Sequence, residues 1–264
     1  MSVEGESRLL TDISTELRAA GCVFAEDEAE LLLLAAGTRA ELTDMTRRRV
    51  AGLPLEVVLG WAEFRGTRFV VEPGVFVPRR RSEFLAEQAI SLARPGAVVV
   101  ELCCGSAALV ATVARAVEGI EPHACDIDPN CVRCARRNLA ELGGTVHQGD
   151  LYEPLPGELR GRVELLLANA PYVPTDEIAS MPPEAREHEP AVALDGGADG
   201  LDVHRAIAAE APKWLAPGGR LLLETSGRQA ERSAAGCVEH GLDVRVVRCE
   251  ETDATVVVAT APES

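Results

Sequence analysis

Three turns that could bind a nucleoside each follow a short apolar segment. Glu101-Leu-Cys-Cys-Gly105 follows the first segment, Asp126 ends the second, and Asp150 follows a short third one. A glycine in such a turn lets the backbone approach a ligand, and a carboxylate that ends the next strand can accept both hydroxyls of a ribose. Asp150 can accept a hydrogen bond from an adenine amino group. Each acid alone is typical of an ordinary turn, but together the three indicate an adenosine-containing cofactor.

These turns meet only if the segments before them lie side by side in one sheet. Apolar runs of strand length occur at residues 97–103, 123–126, 163–169 and 220–225. Helical stretches at 106–117 and 129–142 follow the first two, and 243–247 with 254–260 predicts a closing pair of strands. Strands that alternate with helices are typical of a parallel sheet covered on both faces. An NAD enzyme and an S-adenosylmethionine enzyme fit this pattern equally well.

The first part of the chain has a different pattern. Apolar residues at helical spacing predict helices within residues 1–60, which we interpret as a small N-terminal domain. Residues 61–78 alternate apolar and polar positions around Arg65-Gly66, which predicts a linking β-hairpin. The remaining residues, 79–264, contain the alternating strands and helices and are predicted to form the main domain.

Charge and composition exclude several classes of partner. The 264 residues include 42 acidic and 26 basic ones, a formal net charge of -16. So acidic a surface repels phosphate backbones and anionic membranes, which disfavours nucleic-acid and membrane binding. The acidic start does not resemble a signal peptide, so we expect a cytoplasmic protein whose eight cysteines are reduced. Only one CxxC pair is present, Cys131 and Cys134, beside His123 and Cys125, and no metal is predicted.

A rigid loop follows the third long apolar run. Asn169-Ala170-Pro171-Tyr172 precedes Pro174 and resembles the Asn-Pro-Pro-Tyr loop of methyltransferases that act on planar NH2 groups. The Asn169 side-chain oxygen and the Ala170 carbonyl can accept both N–H bonds of such a group and aim its lone pair at a methyl group. The Tyr172 ring can stack on the substrate and face the positive charge that moves from sulfonium to nitrogen. The loop therefore favours S-adenosylmethionine over NAD.

Longer segments extend this resemblance over roughly residues 50–260. PLEVVLGWAEFRGTRFVVEPGVFVPRR (54–80), residues 189–207 and LAPGGRLLLET (215–225) are similar to the HemK/PrmC-type protein-glutamine methyltransferases. The resemblance implies an α/β fold: a seven-stranded, Rossmann-like class I methyltransferase sheet with an N-terminal helical domain. It implies S-adenosyl-L-methionine as cofactor and the glutamine amide of a peptide chain release factor as acceptor. The implied cofactor positions are Glu101, Cys103, Gly105, Ala107, Asp126, Asp150, Leu151 and Asn169, and the implied catalytic positions are Asn169, Ala170, Pro171 and Tyr172.

The sequence departs from the family pattern in both sites. Cys103 and Ala107 replace two of the three usual glycines of the cofactor loop, and Ala170 replaces the first proline of the acceptor loop. Because these residues are small, we expect cofactor binding to survive. The family's late Gly-Arg-Asp-Arg element is absent.

A further departure concerns the acceptor. The segment usually written Pro-Arg-Pro-Glu-Thr-Glu has the sequence Pro-Arg-Arg-Arg-Ser-Glu here, at positions 78–83. The added Arg80 and Arg81 can bind the carboxylate of a free amino acid, or they can be solvated at a helix start. Predicted substrate-binding residues are Phe76, Arg80, Arg81, Glu187 and Glu189.

Three acceptors remain open from the sequence. The length of the resemblance favours a protein glutamine, whereas the acidic charge and added arginines favour a small amino-acid-like substrate such as free arginine. Adenine in nucleic acid is disfavoured by the charge. A binding module without catalysis is a fourth possibility, because two glycines of the cofactor loop are lost.

Overall fold

The computed structural model describes residues 3–181, 186 and 188–263. The N-terminal helices are α1 (Val3–Ala19), α2 (Ala25–Ala35), α3 (Arg39–Val50) and α4 (Leu55–Leu59). They pack around a core of their own that includes Leu17, Leu32 and Leu42. Arg49 of α3 forms a buried ion pair with Glu28 of α2 at 2.6 Å. These residues give the predicted helical region its own interior.

A two-stranded hairpin follows, as predicted. Strands β1 (Trp61–Phe64) and β2 (Thr67–Val70) pair antiparallel, and both turn residues, Arg65 and Gly66, have positive φ. Two such residues form the type of turn that matches the twist of paired strands. The hairpin is held to the main sheet by Asn138, whose side chain accepts from the Val70 N–H at 2.8 Å and donates to the Val70 carbonyl at 3.0 Å. The pairing ends at Val70, so residues 71–78 form an extended link.

The described residues include a seven-stranded main sheet of order β5-β4-β3-β6-β7-β9-β8. Its strands are β3 (Val98–Leu102), β4 (Glu121–Asp126), β5 (Thr145–Gln148), β6 (Val163–Ala168), β7 (Leu215–Thr225), β8 (Asp243–Cys249) and β9 (Ala254–Thr260). Strands β3 to β7 are parallel, and β9 is antiparallel to both neighbours. The predicted parallel arrangement is thus confirmed for the five strands β3 to β7. The closing pair is antiparallel because a short turn, rather than a helix, joins β8 to β9.

Helices cover both faces of this sheet. They are α5 (Glu83–Leu92), α6 (Ala108–Ala116), α7 (Pro129–Leu139), α8 (Asp202–Trp214) and α9 (Ala230–Glu239). Short 3₁₀ turns lie at Arg80–Ser82, Ala140–Leu142, Gly157–Leu159, Thr175–Ser180 and Ala191–Ala193. One apolar cluster contains Leu85 and Val110, and a separate one contains Ile207 and Trp214. Strand order reverses direction between β3 and β6, which is where an open sheet of this kind binds its ligand.

No helix in the described ranges is long and apolar enough to cross a membrane.

Candidate active site

A cleft lies at the carboxyl edge of the sheet, where β3, β4 and β6 end. Its lining includes Phe76 from the extended link, Glu101 and Asp126 from the strand ends, Asp150 after β5, and Asn169 after β6. The chain thus brings together turns that are widely separated in sequence. Of the predicted cofactor residues, those that line the cleft are Glu101, Cys103, Gly105, Asp126, Asp150, Leu151 and Asn169. Ala107 is fully buried and does not line the cleft.

The turn after β3 keeps the backbone that glycines would favour. Cys103, Gly105 and Ala107 have φ angles of 51°, 52° and 60°, all in the left-handed region. Cysteine and alanine adopt this conformation at a cost of about 1–2 kcal/mol. All three positions of this loop therefore have the left-handed backbone that glycine adopts most readily.

Glu101, at the end of β3, binds the start of the helix that follows this turn. Its Oε2 accepts from the Val110 N–H at 2.8 Å, in the first turn of α6. Burial raises the pKa of this carboxyl to about 8, against the opposing effect of the hydrogen bond from Val110. A cationic group in the cleft would favour the charged carboxylate.

Asp126 joins the first turn to the second. Its Oδ2 accepts from the Gly105 N–H at 2.8 Å and its Oδ1 from the Asp128 N–H at 2.9 Å. Burial raises the pKa of this carboxyl, and these backbone hydrogen bonds oppose the shift. A carboxylate has about four acceptor positions, so both oxygens can still accept ribose hydroxyls. Beside it, the exposed Ile127 and the cleft-lining Leu151 provide apolar surface for a flat base.

These residues fit S-adenosylmethionine. The acids at the ends of β4 and β5 match the hydroxyls and amino group of adenosine, and the buried Glu101 at the end of β3 matches a cationic amino-acid end. The close approach of backbone and ligand requires a positive φ at Gly105, and a Cβ there would come no nearer than 3.8 Å to another residue. A side chain there would make an ordinary contact with Phe76, so the backbone conformation rather than a lack of space favours glycine at this position.

In the acceptor loop, Asn169 and Pro171 line the cleft. The Asn169 Nδ2 donates to the Ser82 Oγ at 3.1 Å, and no donor of the described residues reaches its Oδ1. Ala170 is buried. The Tyr172 ring lies outside the cleft lining, and its hydroxyl donates to Glu224 at 3.3 Å. Stacking of this ring on a substrate stays a prediction.

Tyr172 is held from several sides. The edge of the His204 ring meets it at 6.2 Å between centroids, and the Arg81 guanidinium lies 5.6 Å from its centre. Burial lowers the pKa of His204 to about 4, so this ring is neutral at physiological pH. The Gln229 Nε2 donates to the Tyr172 carbonyl at 2.8 Å. These contacts fix the end of the acceptor loop.

The arginine segment is arranged differently from the prediction. Arg81 pairs with the buried Glu224 at 3.2 Å, and Arg79 pairs with the buried Glu189. Arg79 also lies 4.9 Å from the centre of the Phe76 ring, which lines the cleft. Arg80 is exposed, outside the lining, and forms no ion pair with the described part of the chain.

The predicted substrate residues therefore have mixed outcomes. Phe76 lines the cleft, whereas Arg81 and Glu189 form ion pairs outside its lining. Arg80 is exposed and is also outside the lining. Glu187 lies outside the described residues. Sequence reasoning missed Ser82 and Glu224. An acid within the apolar run RLLLET was an available signal for Glu224, because buried acids require partners.

Comparisons with known proteins identify methyltransferases as relatives of this chain. The profile of the family "Methyltransferase small domain" matches residues 66–181. A release factor glutamine methyltransferase of Geobacter sulfurreducens is 38% identical over 189 residues, 71% of this chain and 66% of that protein. One of Gloeobacter violaceus is 39% identical over 215 residues, 76% of this chain and 74% of that protein. A Streptomyces pristinaespiralis protein named 4-amino-L-phenylalanine/4-methylamino-L-phenylalanine methyltransferase is 39% identical over 190 residues, 69% of this chain and 64% of that protein.

Solved structures share the fold at low identity. A methyltransferase from Pyrococcus furiosus aligns with a TM-score of 0.57 and 14% identity, over 83% of this chain and 99% of the other. A T. thermophilus 16S rRNA methyltransferase in complex with AdoMet and guanosine aligns with a TM-score of 0.55 and 21% identity, over 76% and 49%. These likenesses show the class I methyltransferase fold. With the sequence relatives, they show that the chain belongs to the S-adenosylmethionine-dependent methyltransferase family of the release factor glutamine methyltransferases.

Proposed function

We propose that this protein methylates the side-chain amide nitrogen of a glutamine in a peptide chain release factor. The observation that carries the proposal is the position of Asn169, in the wall of the cofactor cleft with its Nδ2 bonded to Ser82. The relatives named for that reaction support it. The proposal places the protein in the cytoplasm, where translation ends.

The residues of the sheet edge would hold the cofactor. Asp126 would accept from the ribose hydroxyls, Asp150 from the adenine amino group, and Glu101 would face the amino-acid end. S-adenosylmethionine supplies an electrophilic methyl group on a positively charged sulfur. The apolar cleft wall contributed by Phe76 and Pro171 excludes water from the path of that group.

The acceptor amide is a poor nucleophile because its lone pair is delocalised over the carbonyl. The Asn169 Oδ1 and the Ala170 carbonyl would accept its two N–H bonds and point the lone pair at the methyl carbon, which is catalysis by positioning. The amide nitrogen held by Asn169 and Ala170 would take the methyl group from the bound cofactor, whose sulfur would keep the electrons of the broken S–C bond. The surplus nitrogen proton then leaves to water, so no protein base is required before attack.

The charge around the cleft favours a neutral acceptor. A free amino acid brings a carboxylate that requires an unpaired cation. Arg79 and Arg81 are already neutralised by Glu189 and Glu224, two carboxylates that are almost fully buried. A glutamine side chain within a polypeptide brings no such charge and requires no unpaired cation.

A second candidate is a small amino-acid substrate with an aromatic or guanidine nitrogen. The relative from Streptomyces pristinaespiralis, whose name specifies 4-amino-L-phenylalanine, is the observation that favours it. In this case the exposed Arg80, which lies in sequence between the cleft-lining Pro78 and Ser82, is a candidate cation for the substrate carboxylate. Arg80→Ala would then raise the KM of the small substrate and leave cofactor affinity unchanged.

Methyl transfer followed by peptide mass spectrometry tests the proposal. Purified protein and S-adenosylmethionine are incubated with full-length release factor, and in parallel with free arginine, glutamine and 4-amino-L-phenylalanine. We expect one added methyl group on a release-factor glutamine. Asn169→Ala should abolish this transfer and retain cofactor affinity, whereas the control Asn130→Ala, outside the cleft lining, should transfer normally. Transfer to a free amino acid alone would establish the second candidate, and cofactor binding without transfer to any acceptor would refute both.

A further inference from the structure

The side chain of Asn169 can serve a methyl acceptor in only one of its two orientations. An amide group has an accepting oxygen and a donating nitrogen that are nearly equal in size and shape. With its oxygen towards the cleft, Asn169 accepts from the acceptor nitrogen. Rotated by half a turn, it presents its own N–H bonds and repels that group. Some feature of the protein must therefore select the orientation.

Ser82 is the side chain in contact with the other end of this amide. Its Oγ accepts from the Asn169 Nδ2 at 3.1 Å, and the residue is 3% exposed. A hydroxyl has one proton and can either donate or accept towards Asn169. If Ser82 donated to Asn169, the amide oxygen would turn away from the cleft. The destination of the Ser82 proton thus decides the orientation of the amide.

Glu224 is the acceptor available for that proton. It lies near the end of β7 and is 1% exposed. Its Oε1 accepts from the Arg81 Nε at 3.2 Å and the Tyr172 hydroxyl at 3.3 Å. Its Oε2 is buried and has no hydrogen-bond partner among the described residues. Burial raises the pKa of Glu224, and the Ser82 hydroxyl, the Arg81 guanidinium and the Tyr172 hydroxyl oppose this shift.

An ionised Glu224 can only accept hydrogen bonds, so a Ser82 hydroxyl turned towards it donates to it and is left to accept from Asn169. Arg81 supports the ionised form, because its guanidinium compensates the buried charge. We call this chain of hydrogen bonds the relay. In it the Asn169 Nδ2 donates to the Ser82 Oγ, and the Ser82 hydroxyl donates to the Glu224 carboxylate, which only accepts.

We propose that Ser82 and Glu224 are positioning residues that hold the Asn169 oxygen towards the methyl acceptor. The inference deepens the proposed function and rests on it, because it assumes that Asn169 binds the acceptor nitrogen. Neither residue touches the reacting atoms. Their effect is on the turnover number rather than on cofactor binding.

Three serine variants test the relay by kinetics. Ser82→Ala removes the hydroxyl, Ser82→Thr keeps it in the form usual at this place in the family pattern, and Ser91→Ala is an exposed control on α5. We expect Ser82→Ala to lower kcat about tenfold, the effect of losing one orienting hydrogen bond, with an unchanged dissociation constant for S-adenosylmethionine. Ser82→Thr should recover most of the rate. Equal loss in both Ser82 variants, or no loss in Ser82→Ala, would overturn the proposal.

The direction of the hydrogen bonds in the relay is tested by Glu224→Gln. Glutamine has a similar size, but its amide nitrogen can donate to Ser82, which a carboxylate cannot do. We expect kcat to fall while the protein stays folded by circular dichroism, and a normal kcat would contradict the relay.

A spectroscopic measurement separates the relay from the identity of the acceptor. The side-chain N–H resonances of Asn169 are assigned by NMR, with Asn169→Ala as reference, and their exchange with water is measured. Exchange should be faster in Ser82→Ala than in wild type, Ser82→Thr or Ser91→Ala. If no release factor is methylated but exchange responds in this way, the proposed function fails and the relay stands. If exchange is the same in all four proteins, the relay is refuted whatever the acceptor.

Discussion

Replacing Ala107 by glycine should leave the stability of the main sheet almost unchanged, although the residue is fully buried. Ala107 precedes α6 with φ of 60°, where an L-residue is strained. Ala111 lies four residues on, within α6, and is equally buried at 0% exposure. The two positions form a matched pair: the same substitution, the same burial and a different backbone.

The expected magnitudes differ because only one position stores strain. At either position, glycine removes one buried methyl group, a loss of about 0.8 kcal/mol. At Ala111 the poor helix propensity of glycine adds about 1 kcal/mol, so the free energy of unfolding should fall by about 2 kcal/mol. At Ala107 the greater freedom of glycine in the unfolded chain costs about 0.5–1 kcal/mol. Relief of the left-handed alanine returns about 1–2 kcal/mol, so the net change should be close to zero.

Urea unfolding monitored by tryptophan fluorescence measures this difference. Trp214 is buried at the end of α8, in the apolar cluster that packs on the main sheet, and Trp61 lies in the hairpin, so the signal reports on this part of the chain. We expect the midpoint of Ala107→Gly to match the wild type and that of Ala111→Gly to be clearly lower, with equal slopes. Cofactor affinity of Ala107→Gly should be unchanged, because the loop already follows the glycine path. Equal destabilisation of both variants would refute the account of strain in the loop.

Two further predictions concern the acids of the cleft. Burial raises the pKa of Glu101 from 4.5 to about 8, so the folded protein holds a proton that the unfolded chain releases. The contribution of Glu101 to the free energy of unfolding is therefore largest at low pH. It decreases as the pH rises from 4.5 to about 8, by at most about 1.4 kcal/mol per pH unit. Urea midpoints at several pH values should show this slope in wild type and a smaller one in Glu101→Gln. Asp126→Asn should weaken S-adenosylmethionine binding about 10- to 100-fold, from the loss of charged hydrogen bonds, and a calorimetric dissociation constant equal to that of wild type would exclude the ribose contact.

The elements of the fold were predictable because their sequence signals are local. The apolar runs at 97–103 and 254–260 became β3 and β9 almost residue for residue, and Arg65-Gly66 formed the expected turn. The direction of the closing strands was harder to predict. Buried strands have the same apolar composition in parallel and antiparallel pairs, so only the length of the connection between them carries the difference.

The two sides of the cleft differed in how far sequence could predict them. The cofactor side consists of single residues at strand ends, and a sheet brings such residues to one edge regardless of what surrounds them. The acceptor side depends on ion pairs between distant segments: Arg81 with Glu224, and Arg79 with Glu189. No local pattern indicates which arginine meets which acid. Arg80 and Arg81 therefore look alike in sequence, although one is solvated and the other is bound to a buried carboxylate.

The departures from the family pattern have a common physical consequence. At position 81 the pattern has glutamate, and here an arginine lies beside a buried Glu224. A carboxylate at that point would face a second one in a region of low dielectric, whereas arginine compensates the charge and keeps Glu224 able to accept from Ser82. At positions 103 and 107, cysteine and alanine keep the backbone of the glycines they replace. Both changes leave in place the Asn169 side chain and the Ala170 carbonyl, the two acceptors that the proposed methyl transfer would use.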